Sequence, residues 1–142
     1  MPSSPSLCVD ASLIVSLLVE PGSPLQPLWQ RWVEEGRELA APTLVFFEVA
    51  NALYQSEKHG RLSSIASDTL FAAASGLPLR LYRDSALHLH ALRLARDFSL
   101  PACYDAHYLA LAERLGGELW TCDRRLANAV APRFPWVRLA PG

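Results

Sequence analysis

Apolar positions fall into short runs of strand-like spacing, separated by longer stretches of helical spacing. Leu7-Cys8-Val9, residues 79–81 and residues 118–121 predict strands, and residues 38–40 and 134–139 supply two weaker candidates. Helical spacing between them is clearest after Pro42, where the apolar pattern runs to Gly60. Strands alternating with helices predict an α/β fold, a three-layer α/β/α arrangement with a mainly parallel central sheet.

Breakers and caps set the expected helix boundaries. Helices are predicted over residues 11–19, 24–35, 42–60, 62–75, 85–95, 105–115 and 123–130. Pro42 is expected in the first turn of its helix, because a proline there has no intrahelical hydrogen bond to lose. Ser85 is expected to cap the helix that follows it.

Length and composition are those of a single globular domain. The chain has 142 residues, 51% of them hydrophobic, and a formal net charge of −1. We therefore expect one domain over residues 7–140, in which contact with phosphate would depend on a local basic patch. Three cysteines at wide spacing argue against a disulfide framework. No signal-peptide pattern opens the chain, and the Leu13–Val19 stretch is too short to cross a bilayer. The expected location is the cytoplasm, with no membrane contact.

Three aspartates stand where a strand or loop leads into a helix. Asp10 follows the first strand, Asp123 follows the strand over residues 118–121, and Asp105 opens a helix. Carboxyl ends of parallel strands share one edge of a sheet, which is where ligands bind in such folds. Helix capping explains any one of these aspartates equally well.

Glu48 is the acidic residue that local structure explains least. It lies between Phe46-Phe47 and Val49-Ala50 on an apolar helix, where a glutamate is seldom buried unless something pairs with it. Two unit charges about 4 Å apart repel by about 4 kcal/mol at an effective dielectric near 20. Several carboxylates at one edge would therefore need a cation, and Mg²⁺ or Mn²⁺ prefer such oxygen ligands. A divalent ion held this way suits phosphodiester hydrolysis.

Four segments, in order, resemble the PIN domain and most closely its VapC-type toxin nucleases. The resemblance runs from about Leu7 to Leu139, and His59-Gly60-Arg61-Leu62-Ser63 also fits the toxin subgroup. The segments that carry it are Val9-Asp10-Ala11-Ser12, Ala41-Pro42-Thr43 leading to Glu48-Val49-Ala50-Asn51-Ala52-Leu53, Tyr104-Asp105-Ala106-His107-Tyr108-Leu109-Ala110-Leu111-Ala112, and Leu119-Trp120-Thr121-Cys122-Asp123-Arg124-Arg125-Leu126.

The resemblance implies a metal-dependent endoribonuclease, acting as the toxin of a type II toxin–antitoxin pair. Its acidic quartet would be Asp10, Glu48, Asp105 and Asp123 around Mg²⁺ or Mn²⁺. It also implies that Ser12 and Thr121 supply water-positioning hydroxyls, that the chain forms a homodimer, and that the C-terminal segment of an antitoxin covers the site.

Four arginines are candidates for holding RNA phosphates, although a solvated helix face explains them equally well. Arg124 and Arg125 follow Asp123 directly, and Arg93 and Arg96 share an earlier helix. His107 is expected to border the site or to form an ordinary hydrogen bond.

Other metal-dependent classes fit the acidic pattern less well. A haloacid-dehalogenase-like phosphatase would need an aspartate where Ser12 stands, and a receiver domain would need a lysine after a late strand, whereas Lys58 is the only lysine. A non-enzymatic alternative remains, in which a PIN-like scaffold binds RNA or protein without cutting.

Overall fold

A computed structural model describes residues 5–141, and its centre is a five-stranded parallel sheet. Residues 1–4, which begin the segment expected to lack a signal peptide, and residue 142 lie outside the described residues. The spatial order of the strands is β3-β2-β1-β4-β5, and every neighbouring pair is parallel. The strands are β1 (Leu7–Val9), β2 (Leu39–Pro42), β3 (Leu79–Tyr82), β4 (Glu118–Thr121) and β5 (Val137–Leu139). The predicted α/β sheet is confirmed, and it is wholly parallel.

Helices cover both faces of this sheet. Successive steps from β1 to β3 run one way across the sheet, whereas the step from β4 to β5 runs the other way. Right-handed crossovers therefore place α1–α4 on one face and α5–α7 on the opposite face. The helices are α1 (Ala11–Val19), α2 (Leu25–Glu34), α3 (Leu44–Lys58), α4 (Ser64–Ser75), α5 (Ser85–Phe98), α6 (Tyr104–Leu115) and α7 (Arg124–Val130). Both layers pack on the central strands: α1 and α3 from one side, α6 from the other.

One predicted helix start and one predicted helix cap are wrong in detail. Pro42 is the last residue of β2, and α3 begins two residues later at Leu44. A proline lacks the amide hydrogen that a ladder needs, so it is tolerated at the end of this interior strand. Asp84, and not Ser85, caps α5, because its carboxylate accepts a hydrogen bond from the Leu87 amide.

The core lies on both faces of the short central strand β1. All three residues of β1 are buried, because they have helices above and below them. Fully buried side chains on α1, α3 and α6 complete the two apolar layers, among them Leu13, Ile14, Val45, Val49, Leu109 and Leu111. Along residues 5–141, none of the helices has the length and apolar character needed to cross a membrane. The rigid centre fixes the positions of the strand ends that carry the candidate site.

Candidate active site at the carboxyl edge of the sheet

The direction in which successive strands are added to the sheet changes at the boundary between the neighbouring strands β1 and β4. These two strands are neighbours, but β1 leads to β2 on one side and β4 leads to β5 on the other. A crevice forms outside the carboxyl ends of strands at such a switch point. Asp10 directly follows β1, and Asp123 lies two residues after the end of β4. The fold therefore places two of the predicted acidic residues at the crevice.

Asp10 is the most tightly held of the four carboxylates. It is 5% exposed, and its carboxylate accepts hydrogen bonds from the Leu13 amide at 3.0 Å and the Ser12 hydroxyl at 2.7 Å. The Thr121 hydroxyl donates to its other oxygen. Burial raises the pKa of Asp10 to about 6, although these three hydrogen bonds oppose the shift, and the negative charge of Asp105 adds to it.

Ser12 and Thr121 also connect the two strand ends to each other. The Ser12 Oγ accepts from the Cys122 amide at 3.0 Å, and the Thr121 Oγ1 accepts from the Asp123 amide at 2.9 Å. The two hydroxyl oxygens lie 3.3 Å apart. Both hydroxyls therefore hold the Asp10 carboxylate in place without bringing a positive charge near it.

Asp123 and Asp105 stand at the starts of two helices. Asp123 caps α7 by accepting from the Arg125 amide at 2.9 Å and the Leu126 amide at 3.3 Å. Asp105 is half-buried in the first turn of α6 and is not a cap. Its pKa is raised by burial and by the charge of Asp123, whereas the Arg125 guanidinium opposes the shift. Capping thus accounts for Asp10 and Asp123 locally, but not for Asp105.

Glu48 extends from the second turn of α3 and is held by a tyrosine of α6. The Tyr108 hydroxyl donates to Glu48 Oε1 at 2.5 Å, and Tyr108 itself is buried. Burial raises the pKa of Glu48, the Tyr108 hydrogen bond opposes this, and the charge of Asp105 adds to it. Sequence reasoning assigned no role to Tyr108. Its position three residues after Asp105, on the same face of α6, indicates that it lies near the carboxylates but not that it contacts Glu48.

The four carboxylates form a chain of repulsions with Asp105 in the middle. The charge of Asp105 raises the pKa of both Asp10 and Glu48, and Asp123 raises the pKa of Asp105. Over residues 5–141, no three Asp, Glu, His or Cys side chains are close enough to enclose one ion directly. The donor set nevertheless fits Mg²⁺ or Mn²⁺, because Mg²⁺ usually binds one or two carboxylates and keeps several waters.

The four predicted RNA-binding arginines separate into two groups. Arg125 is close enough to the quartet to lower the pKa of Asp105, and Arg124 is exposed beside it at the start of α7. Arg93 and Arg96 are exposed on α5, and among the described residues neither has a contact that links it to the carboxylates. Arg125 therefore borders the candidate site, and Arg124 is next to it in the chain.

His107 is held by two hydrogen bonds next to the quartet. Its Nδ1 lies 2.8 Å from the Cys103 carbonyl oxygen, and its Nε2 lies 2.8 Å from Nδ1 of His88. A hydrogen-bonded histidine was one of the two expectations for this position. The partnership with His88 was not predicted, since nothing in the spacing of two separate helices indicates it.

An all-parallel sheet with carboxylates at its carboxyl edge defines the class of the fold: an open α/β protein whose ligand site is expected at this edge. The chain belongs to the PIN domain family, which matches residues 7–131.

Individual relatives agree with this assignment. Ribonuclease VapC3 of Pyrobaculum aerophilum is 35% identical over 133 residues, covering 91% of this chain and 95% of the relative. The crystal structure of PAE2754 from the same organism superposes with a TM-score of 0.68 at 26% identity, covering 91% of this chain and 83% of that one.

Two more distant structures share the fold. One is a toxin–antitoxin complex from Klebsiella pneumoniae, with a TM-score of 0.63 at 19% identity, covering 94% of this chain and 96% of that one. The other is Mycobacterium tuberculosis VapC20, a toxin that cleaves the sarcin–ricin loop, with a TM-score of 0.63 at 19% identity and coverages of 87% and 95%.

Proposed function

We propose that this chain is a VapC-type endoribonuclease that depends on Mg²⁺ or Mn²⁺. The observation that carries the proposal is the set of carboxylates at the carboxyl edge of the sheet, where Asp105 raises the pKa of Asp10 and of Glu48 and Asp123 raises the pKa of Asp105. The identity of 35% to a protein named as a ribonuclease, over nearly the whole of both chains, supports the same activity. The residues that would hold the ion, directly or through its bound waters, are Asp10, Glu48, Asp105 and Asp123.

The residues of this chain would act mainly by positioning. Ser12 and Thr121 fix the Asp10 carboxylate, and Tyr108 fixes that of Glu48, so the oxygen ligands are oriented before an ion arrives. A bound divalent ion lowers the pKa of a coordinated water and offsets charge on the phosphoryl oxygens. Arg124 and Arg125, at the edge of the quartet, would contact flanking RNA phosphates.

Purified protein tests the activity directly. We expect cleavage of single-stranded RNA with Mg²⁺ or Mn²⁺ and none with excess EDTA. Asp10→Asn should lower the rate by roughly a hundredfold or more, because a metal site supplies several kcal/mol of transition-state stabilisation. Asparagine caps a helix as well as aspartate does, and the Thr121 hydroxyl can accept from its amide, so the variant should fold.

The matched control is Glu118→Gln, which removes a carboxylate from the opposite edge of the same sheet. It should cleave RNA at the wild-type rate. Cleavage that survives both EDTA and Asp10→Asn would contradict the proposal. RNA binding without cleavage by the wild-type protein would favour the alternative, a silent scaffold.

A toxin role in a toxin–antitoxin pair is the biological setting we propose, with one PIN-like domain over residues 7–140 acting in the cytoplasm as a homodimer. A cognate antitoxin would block the site. Induced expression should arrest growth, and Asp10→Asn should abolish the arrest. Co-expression of a small DNA-binding protein from the neighbouring reading frame should restore growth. Arrest that persists with Asp10→Asn would contradict a nuclease toxin.

A further inference from the structure

Two aromatic side chains stand exposed beside the candidate metal ligands. Phe47 is 73% exposed and Tyr104 is 60% exposed. Phe47 immediately precedes Glu48 on α3, and Tyr104 immediately precedes Asp105 on α6. Core packing explains neither ring, because most of each lies outside the core.

The two rings separate a pair of cavities. One cavity, of about 440 Å³, is lined by Glu48 and Asn51. The other, of about 300 Å³, is lined by Thr43, Arg83 and His88. Phe47 and Tyr104, together with Leu44, line both cavities. We call these three residues the aromatic ridge, because they are shared by the cavity that Glu48 lines and the cavity that Arg83 lines.

The second cavity combines ring-sized apolar walls with a few polar groups. Its remaining walls include Pro42, Tyr82 and Leu87. The bonds of His107 to Cys103 and His88 hold the His88 ring at the cavity wall. Arg83 is exposed and forms no ion pair with any residue between 5 and 141, so its guanidinium can meet a phosphate.

We propose that the aromatic ridge stacks a nucleobase of the RNA next to the cleaved phosphodiester, with that base seated in the second cavity and the next phosphate near Arg83. Exposed aromatic rings beside a cation are how proteins hold single-stranded nucleic acid. Continuity of the ridge with the carboxylates, and the unpaired arginine, favour RNA over a protein occupant. The inference rests on the proposed nuclease function and adds a specificity-determining contact to it.

Ring removal at the ridge tests the stacking contact. The substrate is a transcribed pool of single-stranded RNA with randomised positions, cut with Mg²⁺ and sequenced at the new ends. Phe47→Leu and Tyr104→Leu should raise KM by about tenfold or more with little change in kcat, because stacking on an aromatic side chain binds the base. They should also flatten the base preference at one position beside the cut.

Two kinds of control variant distinguish the loss of a stacking contact from a general disturbance of the structure: variants that keep a ring at the ridge, and a variant that removes a ring elsewhere. Phe47→Tyr and Tyr104→Phe keep a ring and should retain both KM and the base preference. Tyr54→Leu removes another exposed aromatic ring from α3, 55% exposed and away from both cavities, and should behave as wild type. An abasic nucleotide at the preferred position should weaken wild-type binding, and should add nothing to the loss already caused by Phe47→Leu.

The outcomes distinguish this inference from the proposed function. Failure of the wild-type protein to cut, or cutting by Asp10→Asn, contradicts the nuclease itself. Normal cleavage with Phe47→Leu and Tyr104→Leu at unchanged KM and base preference overturns the stacking contact alone. A change of oligomeric state in those variants, with cleavage specificity intact, would assign the ridge to an interface between proteins and would also overturn it.

Discussion

The surroundings of acidic side chains differ between the amino ends of the strands, here called the amino edge, and their carboxyl ends, the carboxyl edge. At the amino edge, Glu38 Oε1 lies 3.5 Å from Arg80 Nη1, and Glu118 Oε2 lies 3.1 Å from Arg138 Nε. At the carboxyl edge, Asp10, Glu48 and Asp105 form no ion pair with an arginine or lysine of residues 5–141. Arginines therefore pair with Glu38 and Glu118, whereas Asp10, Glu48 and Asp105 have no such partner among these residues.

Neutral donors replace cations at the carboxyl edge. Two hydroxyls and an amide hold Asp10, and a phenol holds Glu48. Such groups fix the direction of a carboxylate oxygen and leave its negative charge in place. The edge is therefore ordered but electrostatically unfavourable when it holds no cation, as expected where function and stability conflict.

Acid should stabilise the metal-free protein. The pKa of Asp10 rises from 3.8 in the unfolded chain to about 6 in the folded protein. The protonated carboxyl group therefore adds its full contribution to the free energy of unfolding below the unfolded pKa, and this contribution is lost as the pH rises through about 6. The full difference corresponds to about 3 kcal/mol. Glu48 and Asp105 shift in the same direction. In EDTA, the free energy of unfolding should increase as pH falls from 7.5 to 5.

The Asp10→Asn variant measures how much of the pH dependence of the free energy of unfolding comes from Asp10. The free energy of unfolding of the variant should depend less steeply on pH, because the variant lacks the carboxyl group whose pKa changes on folding. Asp84, whose pKa the Arg114 guanidinium lowers to about 2, loses its contribution only at more acidic pH. Equal slopes for wild type and variant would show that Asp10 is not destabilised by burial.

Divalent cation should stabilise the protein at neutral pH, where the repulsion is greatest. At an Mg²⁺ concentration of about one hundred times Kd, the free energy of unfolding should rise by about 2.7 kcal/mol. Thermal melts against an Mg²⁺ series measure this. Glu118→Gln should respond as wild type does, and Asp10→Asn should lose most of the response. An identical Mg²⁺ response in Asp10→Asn would place the ion elsewhere.

Gly117 tests the packing of the amino edge. A Cβ at this position would lie 2.0 Å from the backbone oxygen of Ser6, and the Glu118 amide donates to that same oxygen at 3.1 Å. Gly117→Ala should destabilise the fold by about 1–3 kcal/mol because backbone must move. Denaturant unfolding measures it, and cleavage per folded molecule should be unchanged because the carboxylates lie at the opposite edge.

Gly116→Ala is the adjacent control. Gly116 has φ +63°, and a Cβ added to it would meet no atom of residues 5–141 within 4 Å, apart from its immediate chain neighbours. Its substitution should cost about 1 kcal/mol, the penalty for a side chain in left-handed backbone. A Gly117→Ala variant no less stable than Gly116→Ala would show that the approach of Ser6 is not tight.

Sequence alone predicted the sheet and the common edge of Asp10 and Asp123, because both follow from local pattern. The apolar runs located all five strands, and parallel topology then required Asp10 and Asp123 to share an edge. Single boundaries such as Pro42 were wrong, because two structures accept a proline there: the first turn of a helix and the end of a strand.

Contacts between side chains of different elements could not be predicted in this way. The bond from Tyr108 to Glu48 joins α6 to α3, and the bond from His88 to His107 joins α5 to α6. Each depends on the rotation of two helices about their own axes. Spacing within one helix reports the face a residue occupies, but not what the face meets.

Coupling free energies between pairs of charged side chains should be the smallest of these effects. They test the contrast most sharply, because the sign of the coupling should differ between the amino and carboxyl edges. Glu118 and Arg138 are 28% and 47% exposed, so a double-mutant cycle with Glu118→Gln and Arg138→Gln should give a favourable coupling of about 0.2–1 kcal/mol, weaker in high salt. The matching cycle with Glu48→Gln and Asp105→Asn, in EDTA at neutral pH, should give an unfavourable coupling, because the charge of Asp105 raises the pKa of Glu48. Glutamine retains the oxygen that accepts from Tyr108, so that cycle reports charge and not a lost hydrogen bond. A favourable coupling at both edges would mean that the carboxyl edge is not strained by its own charge.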